Sequence, residues 1–462
     1  MMLRVAWRSL MTRPIRAAVL AAGFGFGIAV MVALLGVGQV ILEQAHAPAL
    51  VGGGDLVVSG PFGPVSSARL VISTIQHAPE TAARISAISV TRRARLYLIT
   101  PGKALQITAT GGVPSLERTI GDPEIAAVPA WTDAPDDKRW ARPESGEVLR
   151  ALDRFHPIPE SRTSPSSWAE WLYFNGRTRD GHARLYLTFF VGAPGDAPGT
   201  RQAGVRLQLE RDGRFTTYSA SSIVDEAAVL AHGPDLDIGG NRVRLEGSTY
   251  RIVLALPGLA GQIALDAAAQ RSMPPATIRG AGGWVSGYVV PALSGIMSGD
   301  LRIGGEQLTF DNAVGYHDHN WGFWEGVRWQ WGQVAHEDVS IVYGRVFPPA
   351  DVADIARIPG FLVVLGPDGL LGYSTNVTID DTAEGRVDVR ATRGLDLRLT
   401  LAVEETVRST MGLTRLAGSQ PLNFLQLGGI FQVKGTVGGR ELGFSARGSA
   451  ETFRPQSPGP TE

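Results

Sequence analysis

Gly299-Asp300-Leu301-Arg302-Ile303, then Gly304-Gly305, then Gln307-Leu308-Thr309-Phe310: polar and apolar side chains alternate on both sides of a Gly-Gly turn. That is the pattern of a β-hairpin. Directly behind it comes Gly315-Tyr316-His317-Asp318-His319-Asn320-Trp321-Gly322-Phe323-Trp324-Glu325-Gly326-Val327-Arg328-Trp329-Gln330-Trp331-Gly332, with four of the ten tryptophans and two of the eight histidines. The hairpin predicts that 315–321 begins on or just after a strand. If the segment stays extended, Tyr316, Asp318 and Asn320 share one face and His317, His319 and Trp321 the other. Buried Trp, His and Asp all need polar partners, or for the acid a proton, so this stretch is the first place to look for function.

Outward from it the chain reads as nearly all β. Alternating segments recur from His182 to Ala446, with tight-turn signals at Asp212-Gly213, Gly247-Ser248, Pro367-Asp368-Gly369 and Gly438-Gly439. Many short strands at this spacing predict antiparallel barrels or sandwiches. The roughly 310 residues after a Pro- and charge-rich linker at Pro129–Pro143 suit two such units, with a boundary near 295. The expected fold class is therefore mainly β, with two consecutive barrels at 145–295 and 296–455. Residues 50–140, with strand-like runs at 88–99 and 105–110 and a helix-like run near 81–85, form a small α+β segment.

At 462 residues the chain can bury more than one core, and a net charge of −1 gives no basis for nucleic-acid binding. With no cysteine, thiol chemistry, disulfides and Cys-ligated metals are excluded. Arg4, Arg8, Arg13 and Arg16 precede an uncharged, mostly apolar run over about 17–42, long enough for one transmembrane helix. The basic flank predicts a cytoplasmic N-terminus with the rest exported. Ala45-His46-Ala47 fits a signal-peptidase site, but the apolar run is longer than a signal peptide's core. Residues 1–45 are read as the anchor of a single-pass protein of the bacterial inner membrane, its C-terminal domains on the periplasmic or extracellular side.

Leu3-Arg4-Val5-Ala6-Trp7-Arg8-Ser9-Leu10, Arg13-Pro14, the apolar run and Gly53-Gly54-Asp55-Leu56-Val57-Val58 resemble the start of FtsX/MacB-type ABC-transporter permeases. That resemblance implies a Gly-Asp-Leu-Val-like strand opening a periplasmic domain, and such a permease as a partner. The later helices of a permease are missing. Two further motifs, Glu170-Trp171-Leu172-Tyr173-Phe174-Asn175-Gly176 and Gly315–Gly322, resemble the CrtC/AttH family, which includes the carotenoid hydratases. Leu172 stands where that family usually has a second Trp. The likeness spans about 145–455 and implies two lipocalin-like barrels, a lipophilic site near the second motif, and acid chemistry mapping onto Asp318 with Tyr316.

The residues suit that chemistry. Hydrating an isolated alkene requires protonating carbon, which needs a carboxylic acid kept neutral by apolar surroundings and aromatic faces for the cation. Asp318 and Tyr316 are the candidate catalytic pair. Trp171, Tyr173, His317, His319, Asn320, Trp321, Trp324, Trp329 and Trp331 are candidate substrate-binding residues. No cofactor or metal is required. The blander readings are that Asp318 caps a turn or pairs with Arg328, that the tryptophans plug a barrel, and that the imidazoles hold the segment's shape. His317 and His319 could also form a metal pair with His336 or Glu337, although Glu325 comes too late for a cupin pattern. Glu170 is expected to reach the second barrel and form a structural salt bridge there; His182 and His232 read as ordinary. The leading expectation is a lipophilic-ligand protein with hydratase chemistry. The rivals are a non-catalytic lipid-binding subunit of an ABC permease and a permease remnant that merely tethers the barrels.

Overall fold

The computed structural model describes scattered positions between 11 and 37, residues 53–58, 65, 67–409 and 422–455. Two compact units result: Met1–Pro64 with Ala87–Ala141, and Val65–Ser86 with Arg142–Glu462.

In the first unit β1 (Arg92–Thr100) and β2 (Lys103–Gly111) form a two-stranded antiparallel ribbon. Two short helices follow, Pro114–Thr119 and Pro123–Ala126, and the Asp122 carboxylate caps the second through the amides of Glu124 and Ile125. Residues 53–58 are bends and irregular chain, so the strand expected from the permease resemblance is not formed there. The expected helix over 17–42 lies largely outside the described residues. No helix among the described residues is long and apolar enough to cross a membrane.

The second unit is built from two large sheets. The first has eleven strands: β3 (Trp168–Arg177), β4 (Ala183–Pro194), β5 (Thr200–Arg211), β6 (Arg214–Asp225), β7 (Leu236–Ile238), β8 (Asn241–Glu246), β9 (Thr249–Leu256), β10 (Leu259–Asp266), β11 (Met273–Arg279), β12 (Val285–Ile303) and β13 (Glu306–Phe323). Their order is β6-β5-β4-β3-β13-β12-β10-β9-β8-β7, with β11 paired to β12. The second has nine: β14 (Arg328–His336), β15 (Val339–Phe347), β16 (Phe361–Gly366), β17 (Gly369–Ser374), β18 (Asn376–Asp380), β19 (Arg386–Thr392), β20 (Leu395–Ser409), β21 (Leu422–Val437) and β22 (Arg440–Pro455), in the order β17-β16-β15-β14-β22-β21-β20-β19-β18.

Each sheet curls until its ends approach, β6 toward β7 and β17 toward the β18–β19 hairpin, giving two nearly closed barrels. At the second seam the Ser374 hydroxyl donates to the Thr392 carbonyl. The local cause is alternation. In β8, Asn241, Val243 and Leu245 point inward while Arg242, Arg244 and Glu246 face solvent. Burying an aliphatic side chain of that kind stabilises by roughly 1.5–3 kcal/mol.

The hairpin around Gly304-Gly305 is β12–β13. Its turn glycines, Gly304 and Gly305, have φ of +56° and +93°, a conformation that favours glycine. Because β12 and β13 belong together in the first sheet, the boundary near 295 is corrected. The sheets part between Phe323 and Arg328. Three cores result: one inside each barrel, and a third between the sheets containing Tyr173, Tyr186, Val290, Tyr316, Trp331 and Val363.

Candidate functional site

The two motifs that begin at Glu170 and Gly315 are neighbouring strands. β3 pairs with β13 so that Tyr173 faces Asp318, Trp171 faces Asn320 and Asn175 faces Tyr316; Phe174, Leu172 and Glu170 face His317, His319 and Trp321. β13 stays extended, so its side chains divide between two environments.

The Tyr316–Asp318–Asn320 face looks away from the first barrel's interior toward the second sheet. There it borders a cavity of about 390 Å³ walled by both sheets, with Trp171, Tyr173, Tyr288, Trp329, Trp331 and Glu451 prominent. Trp324 and Asn320 also line it. The Tyr316 hydroxyl donates to Asp318 Oδ2 at 2.7 Å, and Asn320 Nδ2 donates to Oδ1 at 2.9 Å. Behind them the Tyr288 and Tyr316 hydroxyls are 2.8 Å apart, and Trp331 Nε1 donates to the Tyr288 hydroxyl at 3.0 Å. An indole N–H can only donate. With Tyr316 committed to Asp318, the chain therefore runs one way, Trp331 to Tyr288 to Tyr316 to Asp318.

Burial pushes the Asp318 carboxyl well above the usual carboxylate range. The nearby Glu451 charge adds to this, and the donors from Tyr316 and Asn320 offset only part of it. Glu451, from β22, is raised by the same burial although Trp329 Nε1 donates to its Oε2 at 2.9 Å. The site thus holds two carboxyl groups displaced toward their neutral forms, one from each sheet, against aromatic walls. The buried Tyr173 hydroxyl on the same wall has no hydrogen-bond partner among the described residues.

The opposite face enters the first barrel's core. His317 Nε2 meets Asp153 Oδ2 at 2.8 Å and its Nδ1 meets the Tyr173 carbonyl at 3.0 Å. His319 lies between two acids, Nδ1 to Asp153 Oδ1 at 2.7 Å and Nε2 to Glu170 Oε1 at 2.9 Å. His156 Nδ1 meets the same Glu170 oxygen at 2.7 Å, and its ring stacks on Trp321 at 4.2 Å. Asp153 arrives at the end of helix Ser145–Leu152, whose Val148, Leu149 and Leu152 are buried in that core. Burial alone would push His319 down, but the bonds to Asp153 and Glu170 hold it up at about 9. Burial likewise opposes ionisation of Asp153 and Glu170, yet the imidazoles hold both carboxyls below their usual range.

Several expectations change accordingly. His317, His319 and Trp321 do not line the cavity, because a strand sends alternate residues to opposite faces. Glu170 does not reach the second barrel; its partners are His156 and His319. Asp318 pairs with Tyr316 and Asn320, while the Arg328 guanidinium lies over Phe347. His336 stacks on Phe444, and both nitrogens of His317 are engaged as described, so the expected metal set is not assembled. His156, Glu170 and His319 do bring three ligand-type atoms within 4.8 Å. Their mutual contacts are hydrogen bonds of 2.7 and 2.9 Å that a cation would have to displace.

Sequence reasoning missed Asp153, His156, Tyr288 and Glu451. Only the alternation of β12 and β22 bore on the last two, and it marks a face without naming its partner.

No protein family matches the chain, and no curated protein does. Among solved structures it is similar to an AttH of Nitrosomonas europaea (15% identity, 64% of this chain and 98% of that one, TM-score 0.43). It is also similar to CghA (13%, 66% and 95%, 0.46) and to kievitone hydratase from Nectria haematococca (15%, 67% and 95%, 0.40).

Proposed function

We propose that this chain binds a lipophilic, isoprenoid- or lipid-like molecule in the cavity between its barrels and hydrates an alkene there without a cofactor. The observation that carries this reading is Asp318, an acid kept toward its neutral form by burial yet bordering an aromatic cavity. Its proton passes to one alkene carbon, and the π electrons form the new C–H bond, leaving a tertiary cation at the other carbon. The faces of Trp171, Trp329 and Trp331 stabilise that charge. Water adds to the cation, and the proton it releases returns to the Asp318 carboxylate, closing the cycle. Tyr316 steadies that carboxylate while it is ionised. The likeness of the two strand motifs to the CrtC/AttH family supports the same chemistry and the lipocalin-like description, although sheets of eleven and nine strands exceed an eight-stranded lipocalin barrel.

The test is incubation of the chain with an isoprenoid and lipid extract, followed by mass spectrometry. A product heavier by one water should form, and Asp318→Asn should lower its rate by at least ~10²-fold. Full turnover by Asp318→Asn would remove Asp318 as the acid.

The N-terminal sequence favours a second reading, a non-catalytic lipid carrier beside an ABC-transporter permease at the bacterial inner membrane. Anchoring, export and that partnership rest on the sequence pattern of residues 1–60 alone. The carrier reading predicts bound but unaltered lipid and co-extraction of a permease in mild detergent; a lone chain that turns substrate over would refute it.

A further inference from the structure

Four ionisable acids and bases of ordinary charge line the cavity: Asp318, Glu451, Arg206 and Arg345. The two acids sit among the tryptophans and tyrosines, and burial disfavours charge on both. The two arginines come from different sheets, Arg206 from β5 and Arg345 from β15. Neither forms an ion pair with a carboxylate among the described residues, unlike Arg201, whose Nε donates to Glu226 at 2.9 Å. Arg206 is exposed and opposes Ser219 across the β5–β6 pair, so its part of the wall is on the solvent side. Arg345 is more enclosed. Its Nη2 donates to the Ile355 carbonyl at 3.2 Å and its guanidinium lies 5.0 Å from the Phe347 ring centre, but its buried Nε has no partner. A buried guanidinium N–H left open costs stability unless something accepts from it.

The wall is therefore largely aromatic, with two arginines that have no carboxylate partner among the described residues. A neutral hydrocarbon gains nothing from such arginines. An anion on the ligand would compensate both, and Arg is suited to planar carboxylates through its fork of donors. We infer that the natural ligand is a lipophilic carboxylate, an isoprenoid or acyl chain whose tail lies against the tryptophans and whose carboxylate is drawn to the unpaired arginines of the cavity wall, Arg206 and Arg345. The inference rests on the cavity being the binding site.

The experiment titrates the purified full chain with farnesoate and with farnesol near pH 8, following tryptophan fluorescence. These share a chain and differ in the head group. Farnesoate should bind roughly ten- to hundredfold more tightly, the range that a charge-assisted hydrogen bond provides. The double variant Arg206→Gln/Arg345→Gln should bring the two ligands to within about threefold, chiefly through weaker binding of farnesoate. Arg206→Gln alone, at an exposed position outside the cores, should remove part of the preference without disturbing folding. Comparison with the variants cancels partition of either ligand into detergent. Equal binding by the unsubstituted chain, or a preference that survives in the double variant, overturns the carboxylate inference and leaves the cavity reading standing. Binding of neither ligand overturns both.

Discussion

Raising the pH from about 6 to about 9.5 should destabilise the first barrel through His319. The ring is fully buried, and its nitrogens face Asp153 at 2.7 Å and Glu170 at 2.9 Å. Burial opposes its charge, but these two carboxylates win and hold its pKa at about 9 against an ordinary 6.5. Below 6.5 both the folded and the unfolded chain carry this proton, and the full stabilisation is present. Between 6.5 and 9 only the folded chain keeps it, so stability falls as pH rises. Each pH unit across that window removes up to about 1.4 kcal/mol, for a total of about 3 kcal/mol. Asp153 and Glu170, whose pKa values are depressed, act in the opposite sense: their stabilisation is present at neutral pH and lost as pH falls through their folded values. Urea unfolding followed by tryptophan fluorescence measures the effect, with His319→Gln as control. Glutamine cannot carry the charge, so the variant should be less stable near pH 6 by ~3–5 kcal/mol, the usual cost of stranding a buried charge. The gap between the two proteins should then shrink by about 3 kcal/mol toward pH 9.5. A gap that stays constant or widens with pH would refute the assignment of a buried imidazolium.

Two substitutions at the cavity should move the same observable in opposite directions. Tyr316→Phe removes the hydroxyl that donates to Asp318 and favours its ionised form. The pKa of Asp318 should therefore rise further, shifting the alkaline limb of the pH–rate profile upward while turnover falls; a downward shift would contradict the geometry. Glu451→Gln removes a negative charge that disfavours ionisation of Asp318, so the alkaline limb should move down. An unchanged profile would mean that the two carboxyls do not interact.

How far the sequence carries is clearest on β13 itself. The Gly-Gly turn and the alternation before it predict the hairpin, and the period of two predicts that Asp318 and His319 point in opposite directions. Both follow from local stereochemistry, which a sequence contains in full. The identity of what waits on each face is different. Asp153 and His156 precede β3 in an unremarkable stretch and meet His319 and Glu170 only because helix Ser145–Leu152 packs into the barrel core. Glu451 reaches the cavity because β22 pairs with β14 and brings the second sheet to the outer face of the first. The boundary near 295 failed for a related reason: nothing local distinguishes a hairpin inside one sheet from a junction between two.

The sequence by itself determined the mainly β character of residues 168–455 and the division of β13 into an acid face and an imidazole face. It also placed the aromatic residues and Asp318 in one segment. Only the tertiary structure decided that the cavity lies between the barrels, that the histidines serve the core, and that Glu451 and the two arginines share the wall with Asp318. Strand alternation is set by each residue's immediate neighbours, whereas those juxtapositions depend on pairings across more than a hundred residues, which the chain makes only when both barrels close.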